Sequence, residues 1–242
     1  MAVLTRLIGT KTDNHSLPHL SQYGYMPPQG LIDLFKLKAD LSNSVPGGAP
    51  ILEAGTVVDT EDAAAFAGGI LDLPNAQPNG RYRVLTGFKN SYPSLARTYA
   101  MIFKHDQTRS FYAFRTTNGV SMFVVNDGQI AAQFNDGSNR LIDLAPWAPN
   151  VWNSVVMAVD AAGVRCQVND GPIGSLSWEN YNAAPATTEN TAFGIASATQ
   201  APYGKYALLG VHNRGLDDNE IASLSKGLAV FARSKNLTIG QP

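Results

Sequence analysis

The chain has 242 residues, of which 15% are charged, and its 18 Lys plus Arg nearly balance its 19 Asp plus Glu, for a formal net charge of −1. Nucleic acids and anionic membrane surfaces attract proteins with clustered positive charge, so this balance excludes both as main partners. No apolar run is long enough for a signal peptide or a bilayer-spanning segment. We therefore expect a protein that is made in the cytoplasm without a secretion signal and does not insert into membranes.

Residues 1–50 differ from the rest of the chain because prolines interrupt them, at Pro18, Pro27, Pro28, Pro46 and Pro50. The apolar segment 31–41 lies among these prolines, and its pattern fits both a short helix and a short strand. Because this segment is too short to be stable alone, it must pack on its own domain or on a neighbouring chain. We interpret residues 1–50 as an N-terminal arm or assembly segment, with both alternatives open.

From Ile51 onward the sequence has the turns and alternation of antiparallel sheet. An Asn-Asp-Gly triplet separates or follows apolar runs at 126–128, 135–137 and 169–171. These residue types tolerate positive φ, so the triplets predict tight turns between neighbouring antiparallel strands. The pattern as a whole therefore predicts a β-sandwich.

Two consecutive runs alternate so that one face of each is apolar. The apolar positions are Val155, Met157 and Val159 in the first run, and Val164, Cys166 and Val168 in the second. This alternation predicts strands with one buried face. Cys166 is the single cysteine, and its place in the pattern predicts a small buried core residue rather than a reactive thiol.

The end of the chain predicts a short helix. Asp217 is a good N-cap, and Glu220 follows three residues later, as in a capping box. Three apolar residues then share one helical face: Ile221, Leu224 and Leu228. We expect Gly227 to end or bend this helix.

These two regions resemble the laminin G-like branch of the concanavalin A-like lectin/glucanase superfamily. The residues that match its central strand pair are Trp152, Val155, Val159, Asp160, Gly163, Val168, Asn169 and Gly174. The residues that match its last strand and capped helix are Gly210, Val211, Asn213, Arg214, Leu216, Asp217, Glu220 and Ile221. Two positions depart from the pattern: Asp170 replaces a usual glycine, and His212 replaces an apolar or aromatic residue.

The resemblance covers residues 51 to about 226 and implies an all-β, antiparallel jelly-roll sandwich of the concanavalin A-like type. We therefore divide the chain into an N-terminal arm, residues 1–50, and a laminin G-like jelly-roll domain, residues 51–242, that ends in a short helical segment. The matching residues have structural roles, so they indicate the fold and leave the function open.

The sequence lacks the catalytic patterns that would suit this fold. Glycoside-cleaving members of the superfamily carry Glu-x-Asp-x-x-Glu on one strand, because hydrolysis needs two carboxylates across the scissile bond. That spacing is absent, as are Gly-x-Ser-x-Gly and His-Glu-x-x-His. We expect no catalytic residue and no enzyme.

Sugar binding uses exposed aromatic rings beside polar groups. The aromatic candidates for such a surface are Trp147, Trp178, Tyr181 and Tyr203. Each could instead pack over the edge of the sandwich, and both interpretations remain open.

No cofactor is expected, with calcium as a candidate because laminin G-like domains often hold this ion at the sandwich rim. Calcium requires oxygen ligands, and those near two turns are Asp127, Asn135 and Asp136. The same residues are also explained as turn formers.

A jelly-roll domain that follows an arm and lacks a secretion signal looks like a bacteriophage virion protein. We therefore expect a non-catalytic structural or recognition protein of the virion, such as a tail-fibre, receptor-binding or capsid-decorating component. Its expected partners are other virion proteins or itself, with a cell-surface glycan as a further candidate. The alternative is a free carbohydrate-binding lectin with no assembly role, and an enzyme acting on polysaccharide has the least support.

Overall fold

A computed structural model of the chain describes residues 30–36, 44–45, 52–54, 65–67, 69–73, 84–86, 96–106, 110–116, 120–126, 128–134, 140–160, 162–177, 191–194 and 203–240. Its strands are β1 (Leu31–Phe35), β2 (Leu52–Ala54), β3 (Ala65–Ala67), β4 (Ile70–Leu73), β5 (Val84–Thr86), β6 (Arg97–Lys104), β7 (Phe111–Thr116), β8 (Val120–Asn126), β9 (Gln129–Phe134), β10 (Arg140–Pro146), β11 (Trp152–Val159), β12 (Gly163–Val168), β13 (Gly174–Ser177), β14 (Thr191–Gly194) and β15 (Gly204–His212). The helix α1 spans Asp218–Ser234. In this described part of the chain, no helix has the length and apolar character needed to cross a membrane.

The strands form two sheets. Sheet A has the order β13-β12-β11-β6-β15-β4-β3, with β1 also paired to β15, and sheet B has the order β10-β9-β8-β7-β14-β5-β2. Every pairing between these strands is antiparallel. The prediction of an all-β antiparallel sandwich with a C-terminal helix is confirmed.

The main core lies between the two sheets. The alternating apolar residues of β11 and β12, from Val155 to Val168, all belong to it, as their pattern predicts. Rings from both sheets interlock there: Tyr99 stacks on Phe114 with 4.8 Å between centroids, and Phe193 meets Tyr206 edge-on at 5.1 Å. These contacts join the sheets into one sandwich.

Cys166 is fully buried in this core, as predicted. Burial removes water from around the thiol and therefore raises its pKa, because the charged thiolate loses its solvation. The thiol is thus held in its protonated, unreactive form.

A second core covers the outer face of sheet A. Side chains of β6, β11 and β15 that point away from sheet B meet one face of α1. The helix residues buried there include the three predicted ones: Ile221, Leu224 and Leu228. The central strands of sheet A are therefore buried on both faces. The prediction of a single buried face is wrong for β11, because α1 covers its other face and every residue after Trp152 in this strand is buried.

The helix begins with the predicted capping box. Asp217 Oδ1 accepts a hydrogen bond from Glu220 N at 2.9 Å, and Glu220 Oε2 accepts one from Asp217 N at 3.1 Å. Arg214 adds a bidentate pair, with Nη1 and Nη2 at 2.8 and 2.6 Å from the two carboxylate oxygens of Glu220. The capping box satisfies backbone donors at the start of the helix, and Arg214 holds the Glu220 carboxylate in place.

The prediction that Gly227 ends the helix is wrong. The helix continues through Gly227 to Ser234 and buries Leu228, Phe231 and Ala232 beyond it. A helical glycine costs about 1 kcal/mol relative to alanine, whereas burying one large apolar side chain contributes about 1.5–3 kcal/mol. Tertiary burial therefore outweighs the local preference.

The segment left open between helix and strand is a strand over residues 31–35. β1 pairs with β15, with Leu34 opposite Gly210, and Leu34 is buried against the outer face of sheet A. Lys235 Nζ, just after the helix, donates to the carbonyls of Lys36 at 3.2 Å and Gly69 at 2.5 Å. This part of the N-terminal region thus packs on its own chain, and the proposed division at residue 50 stays a prediction.

The pairing of Arg214 with Glu220 predicts a pH dependence of stability. Hydrogen bonds from Arg214 hold the pKa of Glu220 below its ordinary value. A carboxyl group with a lowered folded-state pKa contributes stability above its unfolded pKa and loses it as the pH falls through the folded pKa. We expect the Glu220→Gln variant to be less stable than the wild type at pH 7 and equally stable at the acidic end, as measured by urea unfolding at stepped pH.

The Gln side chain keeps an acceptor for the capping box, so this substitution isolates the charge. Lys226→Gln, at an exposed charge on the same helix, serves as the control and should differ little from the wild type at each pH. A deficit of the Glu220→Gln variant that does not change with pH would contradict the assignment.

Candidate binding pocket

Two of the aromatic residues expected on the surface lie inside the protein. Trp147 is 4% exposed and Tyr203 is 2% exposed. Both surround the buried His105, whose ring centroid lies 5.5 Å from that of Trp147 and 4.0 Å from that of Tyr203. The expected exposure of Trp147 and Tyr203 is wrong, because a ring buried in this cluster presents no face to a ligand.

The position of these rings in the fold gives the physical reason. Trp147 directly follows β10, Tyr203 directly precedes β15, and Phe111, at the start of β7, also contacts His105. These chain ends meet at one end of the sandwich, where the rings close the gap between the sheets. Packing over the edge, the alternative left open for each aromatic residue, describes both residues.

The other predicted site residues are not described. Trp178 and Tyr181 lie outside the described residues, as do the calcium candidates Asp127, Asn135 and Asp136. Among the residues that are described, no three His, Cys, Asp or Glu side chains lie close enough together to hold a metal ion. Calcium binding therefore stays a prediction.

A buried polar network joins the start of β11, the end of β12 and the helix. Asn169 has a φ of 53° and is 3% exposed. Its Oδ1 accepts from Ser154 N at 2.8 Å, and its own N donates to Ser154 O at 2.8 Å. Ser225 Oγ of α1 donates to Asn169 O, so the helix is tied to this turn as well.

Asn153 extends the network to the chain after Trp147. Asn169 Nδ2 donates to Asn153 Oδ1 at 3.3 Å, and Asn153 Nδ2 donates to the carbonyls of Ala148 at 2.7 Å and Val151 at 3.0 Å. Buried amide groups are costly unless they are hydrogen-bonded, and here each side chain both donates and accepts. The network therefore fixes the position of the Asn169 turn.

A pocket of about 360 Å³ opens beside this network. Its walls are the second half of α1, the C-terminal segment 237–240, and the turn after β12. Its polar lining consists of Ser154, Asn169, Asp170, Arg233 and Thr238. Its apolar lining consists of Ala229, Leu237 and Ile239, next to Gly240. The volume lies within the usual range for small-ligand sites, about 300–1,000 Å³.

The C-terminal wall is attached to the sandwich by its backbone. Leu237 N donates to Ala232 O at 2.9 Å, and Gly240 N donates to Trp152 O at 2.8 Å, next to a parallel bridge between Trp152 and Ile239. Gly240 lies so close to the start of β11 that a Cβ there would come within 2.5 Å of Val151 Cγ2. A side chain at position 240 would therefore require the side chain of Val151 to move.

Asp170 and Arg233 give the rim opposite charges. Both side chains are exposed, and neither forms an ion pair or side-chain hydrogen bond with another described residue. The hydroxyl of Thr238 is exposed beside them. Ser154 and Asn169 serve the network, whereas these three groups are available to a ligand.

The sequence patterns did not predict that Asp170, Arg233 and Thr238 would form one group. The one available signal was Asp170, which departs from the pattern that the chain otherwise resembles. Arg233 and Thr238 carried none, because they reach the same pocket only through the turn that ends α1, where Asn236 has a φ of 57°.

No protein-family model and no curated protein sequence matches the chain. Solved structures are similar in fold. Domain 4 of AbnA, a GH43 extracellular arabinanase from Geobacillus stearothermophilus solved in complex with arabinotriose, has a TM-score of 0.58 and 19% identity over 81% of this chain and 98% of that domain. The receptor-binding domain of botulinum neurotoxin C/D mosaic serotype has a TM-score of 0.56 and 13% identity over 82% of this chain and 51% of that one.

Trypanosoma rangeli sialidase in complex with sialic acid gives a TM-score of 0.54 and 12% identity over 83% of this chain. The chain spans 33% of the length of that sialidase. At such identities the likeness shows the fold alone. The chain therefore shares a β-sandwich fold with these proteins.

Replacing Asn169 should destabilise the protein strongly, and the loss should depend on whether the new residue tolerates a positive φ. Asn169→Ala leaves the buried Ser154 N without an acceptor and places a Cβ-bearing residue at positive φ without a compensating side chain, so we expect a loss of about 3 kcal/mol. Asn169→Gly loses the same hydrogen bonds but tolerates the backbone angle, so its loss should be smaller by about 1 kcal/mol. Urea unfolding of both variants measures the difference.

The neighbouring variant Asp170→Ala is the control, because its exposed side chain has no described partner and should change stability by at most about 0.5 kcal/mol. Equal stabilities of the Asn169→Ala and Asp170→Ala variants would show that the network does not hold the turn.

Proposed function

We propose that this protein is a non-catalytic recognition module that binds carbohydrate in a lectin-like way. The observation that carries the proposal is the pocket beside α1, with a carboxylate, a guanidinium and a hydroxyl on its rim and apolar side chains on its wall. Sugar hydroxyls both donate and accept hydrogen bonds, while the C–H faces of sugar rings favour apolar contact. The lining offers both kinds of contact.

The fold likeness supports this proposal without assigning a ligand. One similar sandwich is a domain solved with arabinotriose, and another is a receptor-binding domain. The first was solved with a bound sugar and the second is named for receptor binding, and the match covers 98% of the first domain. A sandwich of this shape is thus compatible with a binding module.

The pocket is also poorly suited to glycoside hydrolysis. That reaction uses two carboxyl groups about 5–9.5 Å apart on either side of the bond that breaks. Among the described lining residues, Asp170 is the single carboxylate. We propose that a bound glycan is held and released without being cleaved.

We further propose that the sandwich is laminin G-like and belongs to a bacteriophage virion, as a tail-fibre, receptor-binding or capsid-decorating component. What supports this is the resemblance around Trp152 and Asn213 together with the proline-interrupted residues 1–50. In this proposal the protein is made in the host cytoplasm and joins the particle through other virion proteins or through further copies of itself.

A free lectin without an assembly role is the second candidate. The observation that favours it is the pairing of β1 with β15 of the same chain, which buries Leu34 without any neighbouring chain. A segment already packed on its own sheet has less apolar surface left for assembly.

Filling the pocket should abolish glycan binding. Ala229 lines the pocket from α1 and is half-buried, so the ring of an Ala229→Phe variant would occupy the space of a ligand. We expect the signals of this variant on an immobilised glycan array to fall at least tenfold below those of the wild type. Turnover of the bound glycans, followed by chromatography, should be undetectable for both proteins.

Ala222→Phe is the matched control, because Ala222 is also half-buried on α1 but lies two turns earlier and does not line the pocket. Circular dichroism and thermal unfolding establish that both variants fold. Glycan binding that survives Ala229→Phe would remove the pocket from the proposal, and cleavage of any glycan by pure wild-type protein would overturn its non-catalytic part.

The virion part of the proposal has its own test. Antibodies against the protein should label particles in electron micrographs of lysates from cultures that produce it. Antibodies absorbed with the pure protein are the control and should leave the particles unlabelled. Protein found in the lysate but absent from purified particles would favour the free lectin.

A further inference from the structure

We infer that the pocket beside α1 selects a neutral, hydroxyl-rich sugar residue over an acidic or an amino sugar, and that Asp170 and Arg233 make this selection together. The inference rests on the proposed function, since it names the class of glycan that the same pocket would take. The charges of the rim, the field of the helix end, the fixed backbone that carries the charged groups and the apolar wall each support one step.

The first step is charge balance. Asp170 and Arg233 are the charged residues among the described lining, and no ion pair between them neutralises either one. An acidic sugar would gain from Arg233 but meet repulsion from Asp170, and an amino sugar would meet the reverse. A hydroxyl group donates to a carboxylate and accepts from a guanidinium, so a neutral sugar satisfies both groups at once.

The second step is the field of the helix. Arg233 lies in the last turn of α1, and the helix C-terminus carries a partial negative charge of about −0.5. The nearby Lys235 directs its Nζ towards the carbonyls of Lys36 and Gly69. Those carbonyls lie just after β1 and in the β3–β4 turn, and neither residue is among the described lining of the pocket. The helix end therefore offsets part of the charge of Arg233 and weakens its attraction for an acidic sugar, whereas the rejection of an amino sugar depends on Arg233 itself.

The third step is rigidity. The turn that carries Asp170 is fixed on one side by the Asn169 network and on the other by Gly171 N, which donates to Val168 O at 3.0 Å. Gln167 Nε2 also donates to Gly171 O at 2.9 Å. Arg233 projects from a helix whose adjacent residues, Phe231 and Ala232, are buried. Both charged groups thus start from fixed backbone, which lowers the entropy cost of binding.

The fourth step is the apolar wall. Leu237 is buried and Ile239 packs against the outer core of sheet A, so this side of the pocket is firm and apolar. It lies next to the hydroxyl of Thr238. A sugar ring can place its C–H face on the wall while its hydroxyls meet the rim, an arrangement that suits a neutral pyranose or furanose.

The experiment compares three classes of immobilised glycan: neutral, acidic (uronic and sialic acids) and amino sugars. We expect the strongest signals of the wild type on neutral glycans. In the Asp170→Asn variant the positive charge of Arg233 is the one charge left on the described lining. This variant should therefore bind acidic glycans more strongly relative to neutral glycans, by about tenfold. In the Arg233→Gln variant the negative charge of Asp170 is the one charge left on the described lining. This variant should therefore bind amino sugars more strongly relative to neutral glycans, by a similar factor.

Lys226→Gln is the matched control, because Lys226 is an exposed charge on α1 that does not line the pocket, and its ranking of the three classes should equal that of the wild type. A wild type that prefers acidic or amino glycans overturns the inference and leaves the proposed function intact. An unchanged ranking in the folded Asp170→Asn and Arg233→Gln variants also overturns it. Absence of binding to every class overturns the proposed function itself.

Discussion

The burial of sheet A on both faces is the constraint on which the rest of the structure depends. One face packs against sheet B and the other against α1, so β6, β11 and β15 carry apolar residues on both sides. A sheet of this kind needs a cover that follows its outer face, and the amphipathic helix with the segment after it provides one. The pocket lies where the second half of α1, the segment 237–240 and the turn after β12 meet.

The network around Asn169 connects this cover to the sheet at that place. Apolar contacts hold the helix against the sheet but are non-directional, whereas the hydrogen bond from Ser225 to the Asn169 carbonyl fixes one point of contact. Asn153 extends the same network to the chain that carries the buried Trp147. The closed end of the sandwich and the open pocket beside it are therefore set by one group of side chains, although they lie on opposite faces of sheet A.

Sequence patterns predict those elements whose stabilising contacts lie between residues close together in the chain. The capping box of Asp217 and Glu220 involves neighbours along the chain, so the sequence alone predicts it. The alternation of β11 correctly predicts the face that meets sheet B, but not the burial of its other face, which depends on α1. The helix continues through Gly227 because the burial of Leu228, Phe231 and Ala232 outweighs the poor helix preference of glycine. The burial of Trp147 depends on residues from other strand ends that no local pattern brings together. Arg233 and Thr238 line the same pocket because the turn after the helix brings segment 237–240 back beside α1, and this role of Arg233 had no sequence signal.

The burial of Cys166 has a practical consequence. It is the single cysteine of the chain, its side chain is fully enclosed between the sheets, and its thiol pKa is raised there. A thiol reagent can therefore react only with molecules in which β12 has separated from the opposite sheet. The rate at which the thiol is labelled therefore measures how often the two sheets separate in solution. No further cysteine has to be introduced for this measurement.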